Sequence, residues 1–222
     1  MAHVLSPVSV DKRLGFLQVV VLAAPLVWVV VAFLHPLDEP YEGIADEANR
    51  WIFVHLAQLV LTPMLAAGVW LLMDGIESAA ASTTRVVLAF WMVFFSAFDA
   101  VAGIATGVLT RHANSLTGSE KQGVVAAINF LWDDSRLAGG NFSVLGNVGQ
   151  GTWIVLALAA TVALYQAGLP RLLVGATFLS VLFAAHGGPI AAVGLLAFFC
   201  ALLLRFRGAG PVAAPSGTHE PA

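Results

Sequence analysis

Apolar runs of about 20 residues recur along this chain between shorter polar stretches. A helix rising 1.5 Å per residue needs roughly that length to cross a hydrocarbon core of about 30 Å. Six segments fit: 14–34, 51–73, 86–108, 143–165, 172–185 and 189–206. The fifth is short, and only His186-Gly187-Gly188 parts it from the sixth. Pro189 follows, and Gly-Gly-Pro is turn chemistry, so the two read as a tight hairpin rather than one overlong span. The pattern predicts an all-α, polytopic membrane helix bundle of about six transmembrane helices. Residues 1–207 form a single domain, and 208–222, rich in Gly, Pro and Ala, read as a flexible tail.

Lys12 and Arg13 precede the first run as they would in a signal peptide, but its far end, Phe33-Leu34-His35-Pro36, offers no small-x-small cleavage site. The first run is therefore expected to stay as a permanent helix. Between the third and fourth spans, Val124, Val125, Ile128, Leu131 and Trp132 fall on one helical face. Glu120, Lys121, Asn129 and Asp133 fall largely elsewhere, which predicts an amphipathic helix on the membrane surface. Such a helix either shields the bundle or covers a pocket, and shielding is the commoner use.

Composition agrees with the pattern. The chain is 59% hydrophobic and 10% charged, against roughly 25% charged in soluble domains. That leaves too little polar surface for a water-soluble fold. The net charge of −3 gives no basic footprint for nucleic acid. The single cysteine, Cys200, excludes an intrachain disulfide and a Cys/His zinc motif.

Basic residues near span ends mark the cytoplasmic side. With both termini inside, the inner ends carry Lys12, Arg13, Arg85, Arg171, Arg205 and Arg207, and the outer ones Arg50, Arg111, Lys121 and Arg136. This predicts a multi-pass cell-membrane protein with cytoplasmic termini.

Polar residues within the spans are few and form stripes. His55, Gln58 and Thr62 share a face of the second span; Ser96, Asp99, Gly103 and Thr106 share one on the third. Asn147, Gln150 and Gly151 make a third stripe, and His186 stands at the last turn. At the helical rise, His55 lies roughly 6 Å and Asp99 roughly 13 Å below the outer ends of their spans. Exposing such groups to lipid is costly, so the stripes are expected to face a shared, outward-facing pocket.

Asp99 carries the strongest functional expectation, since a carboxylate near the bilayer centre costs about 2.5–3.5 kcal/mol on insertion scales. A neutral carboxylic acid in an apolar site can donate a proton or a hydrogen bond. Asp99 and His55 are thus the catalytic candidates, as general acid and its partner. Gln58, Phe95, Phe98, Asn147, Gln150 and His186 are the candidate substrate-binding residues. The competing structural role for Asp99 is an interhelical hydrogen bond that fixes packing. His35, His112 and His186 fall at the same outer end and can join Asp99 in a metal site. Their spacing carries no HExxH motif, so a metal-free pocket ranks ahead, no metal ligand is assigned, and the cofactor stays open. Pro25 and Pro63 predict kinks or freed carbonyls. Gly103 and Gly107 form a small-xxx-small pair that serves either internal packing or a second copy, and the oligomeric state is not set.

The layout, with the stretch Ser96-Ala97-Phe98-Asp99-Ala100 and the Gly103 that follows, resembles multi-span bacterial membrane proteins of uncharacterised function. In size and hydrophobicity the chain is also similar to the small integral-membrane terpene cyclases. That likeness implies chemistry by membrane-embedded carboxylic acids and brings no residue with it. The leading expectation is an intramembrane enzyme, an acid-initiated cyclase acting on an isoprenoid or lipid-like molecule. The alternatives are a non-catalytic transporter component or assembly partner, and a metal or haem protein.

Overall fold

The computed structural model describes residues 12–36, 40–137 and 143–208. Every regular element among them is helical. In chain order these are α1 (Lys12–Leu34), α2 (Pro40–Ile44), α3 (Ala48–Leu72) and α4 (Ala79–Phe98). A π-helical segment, Asp99–Ala105, then leads into α5 (Thr106–Ala113). There follow α6 (Gly118–Asp133), α7 (Val144–Gln166), α8 (Arg171–Leu179), a 3-10 segment (Ser180–Ala185) and α9 (Gly188–Gly208).

Among the described residues, five stretches are long and apolar enough to cross a membrane: Gly15–Leu34, Tyr41–Leu72, Ala79–Ala113, Val144–Gln166 and Gly188–Arg207. The expected fifth span is instead a shorter apolar helix, Arg171–Ala185. Its nine α and six 3-10 residues rise about 25 Å, less than the hydrocarbon thickness. The expected second and third spans are longer than their apolar cores, because polar helix ends continue past the hydrocarbon. Ser78 starts α4 seven residues before the hydropathy edge placed it, its Oγ accepting from Ala81 N at 3.1 Å.

α1 shows what solvent the bundle is built for. Val21, Ala24, Trp28, Val31 and Ala32 are buried on one face, while Phe16, Val19, Val27, Val30 and Phe33 are exposed on the other. A helix apolar all round suits hydrocarbon rather than water. α1 packs against α3 and α9, and α4 lies along α7. Small residues bring these helices close. A Cβ at Gly149 would lie 3.3 Å from the Phe95 backbone, and one at Gly68 would lie 3.2 Å from Leu202 and Val21. The centre is aromatic: Trp91 and Trp153 rings are 4.9 Å apart, as are Trp153 and Phe183. Trp153 Nε1 donates to Ser180 O at 2.8 Å, satisfying a carbonyl beside the break between α8 and its 3-10 continuation.

The two ends of the bundle differ. At one, Arg85 donates to Met73 O and Ile76 O, and Arg205 to Leu72 O and Asp74 O. Two guanidinium groups thus satisfy the carbonyls that the end of α3 leaves free. At the other end, α6 lies across α5 and α2 with Ile128 buried, as its apolar stripe predicts. Gly103 and Gly107 face α3, where added Cβ atoms would meet His55 and Ile52, so the pair packs this bundle internally.

α9 seats Gly194 directly on the 3-10 backbone, where a Cβ would lie 2.2 Å from Phe183 N. Gly194→Ala is expected to destabilise the protein by about 1–3 kcal/mol through overpacking. Gly175→Ala, whose Cβ meets open space, should be neutral or stabilising by up to about 1 kcal/mol. Thermal midpoints in detergent check the pair.

Candidate functional site

Three histidines from separate parts of the chain converge at the α6 end. His35 follows the last turn of α1, where the next residue, Pro36, cannot continue the helix hydrogen bonding. His55 lies on the second turn of α3, and His186 at the reversal between the 3-10 segment and α9. The ring of His35 is 5.0 Å from that of His55 and 5.1 Å from that of His186, and those two are 6.4 Å apart. One nitrogen from each falls within 4.8 Å of the others.

Hydrogen bonds orient two of the rings. His55 Nδ1 lies 2.8 Å from Trp51 O, and His35 Nδ1 2.5 Å from Pro36 O. A carbonyl only accepts, so both rings carry their proton on Nδ1 and present a lone pair at Nε2. His35 Nε2 and His186 Nδ1 are buried without a hydrogen-bond partner. Burial lowers the pKa of His35, against the smaller opposing effect of its bond to Pro36. Burial first, then the neighbouring His35 and His55, lowers that of His186 further. Both rings are neutral at pH 7 and hold lone pairs free for a cation.

The π-helical segment brings in Asp99. Its Oδ1 is 3.9 Å from His55 Nε2, the side chain is fully buried, and neither oxygen has a hydrogen-bond partner. The segment also presents its backbone. Trp51 Nε1 donates to Gly103 O at 2.8 Å, and a Cβ on Gly103 would fall 2.1 Å from His55 Cδ2. Only glycine lets the His55 ring lie against this turn. Single π turns of this kind inside α-helices often mark functional sites.

His186 is held in strain. It has φ 65° and ψ −45°, and Gly187 N donates to Ala185 O at 2.7 Å across it. This is a γ-turn with positive φ, a rare and costly conformation for a side-chain-bearing residue. The turn is packed against protein, with the His186 ring 5.1 Å from that of His35 and 5.2 Å from that of Phe95.

The polar stripes of the second and third spans therefore meet, through His55 and Asp99. Phe95 and Phe98 rings stand 5.2 and 5.8 Å from that of His186. Gln58 is fully buried one turn beyond His55, with no partner for either amide atom. Asn147 is exposed and its Nδ2 donates to Ser143 O, while Gln150 is half-buried. α7 turns Gly146 and Gly149 toward α4 instead, so Asn147 lies off the face that meets Asp99. His112 is exposed on α5, outside the cluster. Trp51 belongs to the site beyond the residues singled out from sequence, and His35, named there only as an optional metal partner of Asp99, lies within it. His35 ends the first span at the level of His55, and Trp51 lies one turn before it. Trp132 of α6 donates to Thr106 Oγ1 at 2.9 Å with its ring 6.3 Å from that of Trp51, so the surface helix roofs the site.

No family model, curated protein or solved structure matches the chain.

The γ-turn predicts an inverted stability order at one position. Both His186→Gly and His186→Ala remove the ring, but only glycine relieves the positive φ. The glycine variant is expected to be the more stable by about 1 kcal/mol or more, read from denaturation midpoints of the two in the same detergent.

Proposed function

We propose that this integral membrane protein binds a transition-metal ion of the zinc class through His35, His55 and His186. The observation that carries the reading is the convergence of three imidazole nitrogens within 4.8 Å from separate parts of the chain. Two of these rings bond Nδ1 to a backbone carbonyl, the arrangement that sets the tautomer and raises the basicity of metal-ligating histidines. Tetrahedral zinc with Zn–N bonds of about 2.0–2.1 Å separates its ligands by about 3.4 Å, so small side-chain rotations close the set. The strain at His186 fits the same reading, since strained backbone persists where function over-determines it.

Acid-initiated chemistry on an isoprenoid rests on Asp99 with Phe95 and Phe98 beside it. It gives no role to the two further histidines gathered at the same point, so metal binding accounts for more of the site.

The site lies at the end of the bundle opposite Arg85 and Arg205. By the bias of basic residues, that end faces away from the cytoplasm and both termini lie inside. The reading is of a cell-membrane protein whose metal is held toward the outer side, beneath α6.

Elemental analysis of the purified protein, after incubation with zinc and removal of the excess, is expected to return one metal ion per chain. His55→Ala and His35→Ala should lose it, and His112→Ala should keep it. Equal zinc in wild type and His55→Ala would remove the proposal. For orientation, with Cys200 replaced by Ser, a cysteine at Ser115 should react with a membrane-impermeant maleimide in intact cells, and one at Glu77 only after permeabilisation. The reverse pattern would invert the topology.

A further inference from the structure

We infer that Asp99 is the fourth ligand of this centre, making a closed three-histidine, one-carboxylate set selective for a borderline divalent cation. The inference rests on the metal-binding reading and extends it to the donor set and the kind of ion.

His55 gives its Nδ1 proton to Trp51 O, so the atom it turns toward Asp99 is the lone-pair nitrogen Nε2. Opposite stands a carboxylate oxygen at 3.9 Å, too far for a hydrogen bond. A ring lone pair and a carboxyl oxygen thus face each other inside the bundle with no hydrogen bond between them. Were Asp99 present to orient His55, it would accept a proton from the ring, but the ring's proton is already used on Trp51. Were it a packing residue, one of its oxygens would find a donor, and neither does. A cation between the two atoms satisfies both. The 3.9 Å gap is within about half an ångström of the ligand separation at a tetrahedral ion.

Geometry places Asp99 for that task. It opens the π-helical segment that Trp51 grips at Gly103 O, and the same segment seats the His55 ring. Ligand and carboxylate are therefore held by one piece of backbone. The donor set then names the ion. Imidazole and carboxylate suit zinc, cobalt(II) and their neighbours, whereas copper(I) favours thiolate or thioether. Four protein ligands leave no open position, which marks a site that holds its metal rather than one that activates water on it. The ion would tie the ends of α1, α3, the π-helical segment and the α8–α9 turn together.

The test uses cobalt(II) as a visible probe on the full-length chain in detergent, in a Cys200→Ser background. That background with Asp99 intact should give the intense visible absorption of tetrahedral cobalt and a rise in thermal midpoint with added metal. Asp99→Asn should bind at least tenfold more weakly, with a changed spectrum. Asp99→Cys should show a new near-ultraviolet sulfur-to-cobalt charge-transfer band, a signature that only direct ligation produces. Asp99→Asn with unchanged affinity and spectrum, together with no such band in Asp99→Cys, overturns the inference and leaves the three-histidine reading standing. No cobalt absorption and no zinc retained with Asp99 intact overturns both.

Discussion

Inside hydrocarbon a polar atom has no water to turn to, so every one that enters must find its partner in the protein or from a bound species. Much of this fold is an answer to that constraint. Serine and threonine hydroxyls in the spans bond back to their own helices, as Thr62 does to Gln58 O and Thr177 to Leu173 O. Trp153 takes up a carbonyl at the break after α8, and Trp51 one from the π-helical segment. Arg85 and Arg205 close the end of α3. Against that background, the atoms left over are informative. Asp99, Gln58, His35 and His186 all carry unpartnered buried atoms, and all but Gln58 are brought to one place by measured contacts with His55. Trp28 Nε1, Trp91 Nε1 and Thr110 Oγ1 are also buried without a partner, but they stand apart from one another, whereas His35, His186 and Asp99 gather about His55.

The hydrogen bond from His55 to Trp51 O is the hinge of this arrangement. It is local, four residues back along α3, and costs the fold almost nothing. Yet it decides which nitrogen faces Asp99, and at 3.9 Å the pair makes no hydrogen bond of its own. Trp51 serves a second time through its indole, which holds the π-helical segment at Gly103 O. One tryptophan thus fixes both the tautomer of the histidine and the position of the backbone that carries the carboxylate.

Apolar run length and composition made the helical membrane class, the hairpin at His186 and the amphipathic α6 legible before any coordinates. Those signals are local and repeat over many residues. The stripes on α3 and the third span were legible for the same reason, and their shared depth predicted that they meet. The shortness of the fifth segment was legible too, since its apolar run ends at His186-Gly187-Gly188. His35 was legible only as one of several outer histidines, because it sits in a loop position with no periodicity to place it, and its neighbours in space are 20 and 151 residues away. Asn147 was misplaced by a one-residue rotation of α7. Glycines at 146 and 149 allow close approach to α4, and so they, not the amides, take the contact face. The π turn lay beyond reach as well, since a widened turn shifts the face of everything after it and α-periodicity assumes none.

The two ends of the bundle carry opposite designs. At the arginine end, charged side chains satisfy carbonyls and the chain is closed on itself. At the histidine end, backbone regularity is given up three times within a small space: α1 stops before Pro36, α4 widens into a π turn, and the α8 arm halts in a strained γ-turn. Each irregularity delivers one side chain: His35, Asp99 or His186. Had the bundle been selected for helix packing alone, straight helices joined above the membrane would bury more apolar area with less strain. The departures from regular helix coincide with the chemistry-bearing residues because side chains on parallel helices point across the bundle at fixed levels. Bringing three histidines within 4.8 Å of one another, with Asp99 beside His55, requires the backbone itself to move. Metal binding is the function that rewards such convergence, since an ion gathers ligands within about 2 Å of one centre. A packing role asks only that each residue meet a neighbour.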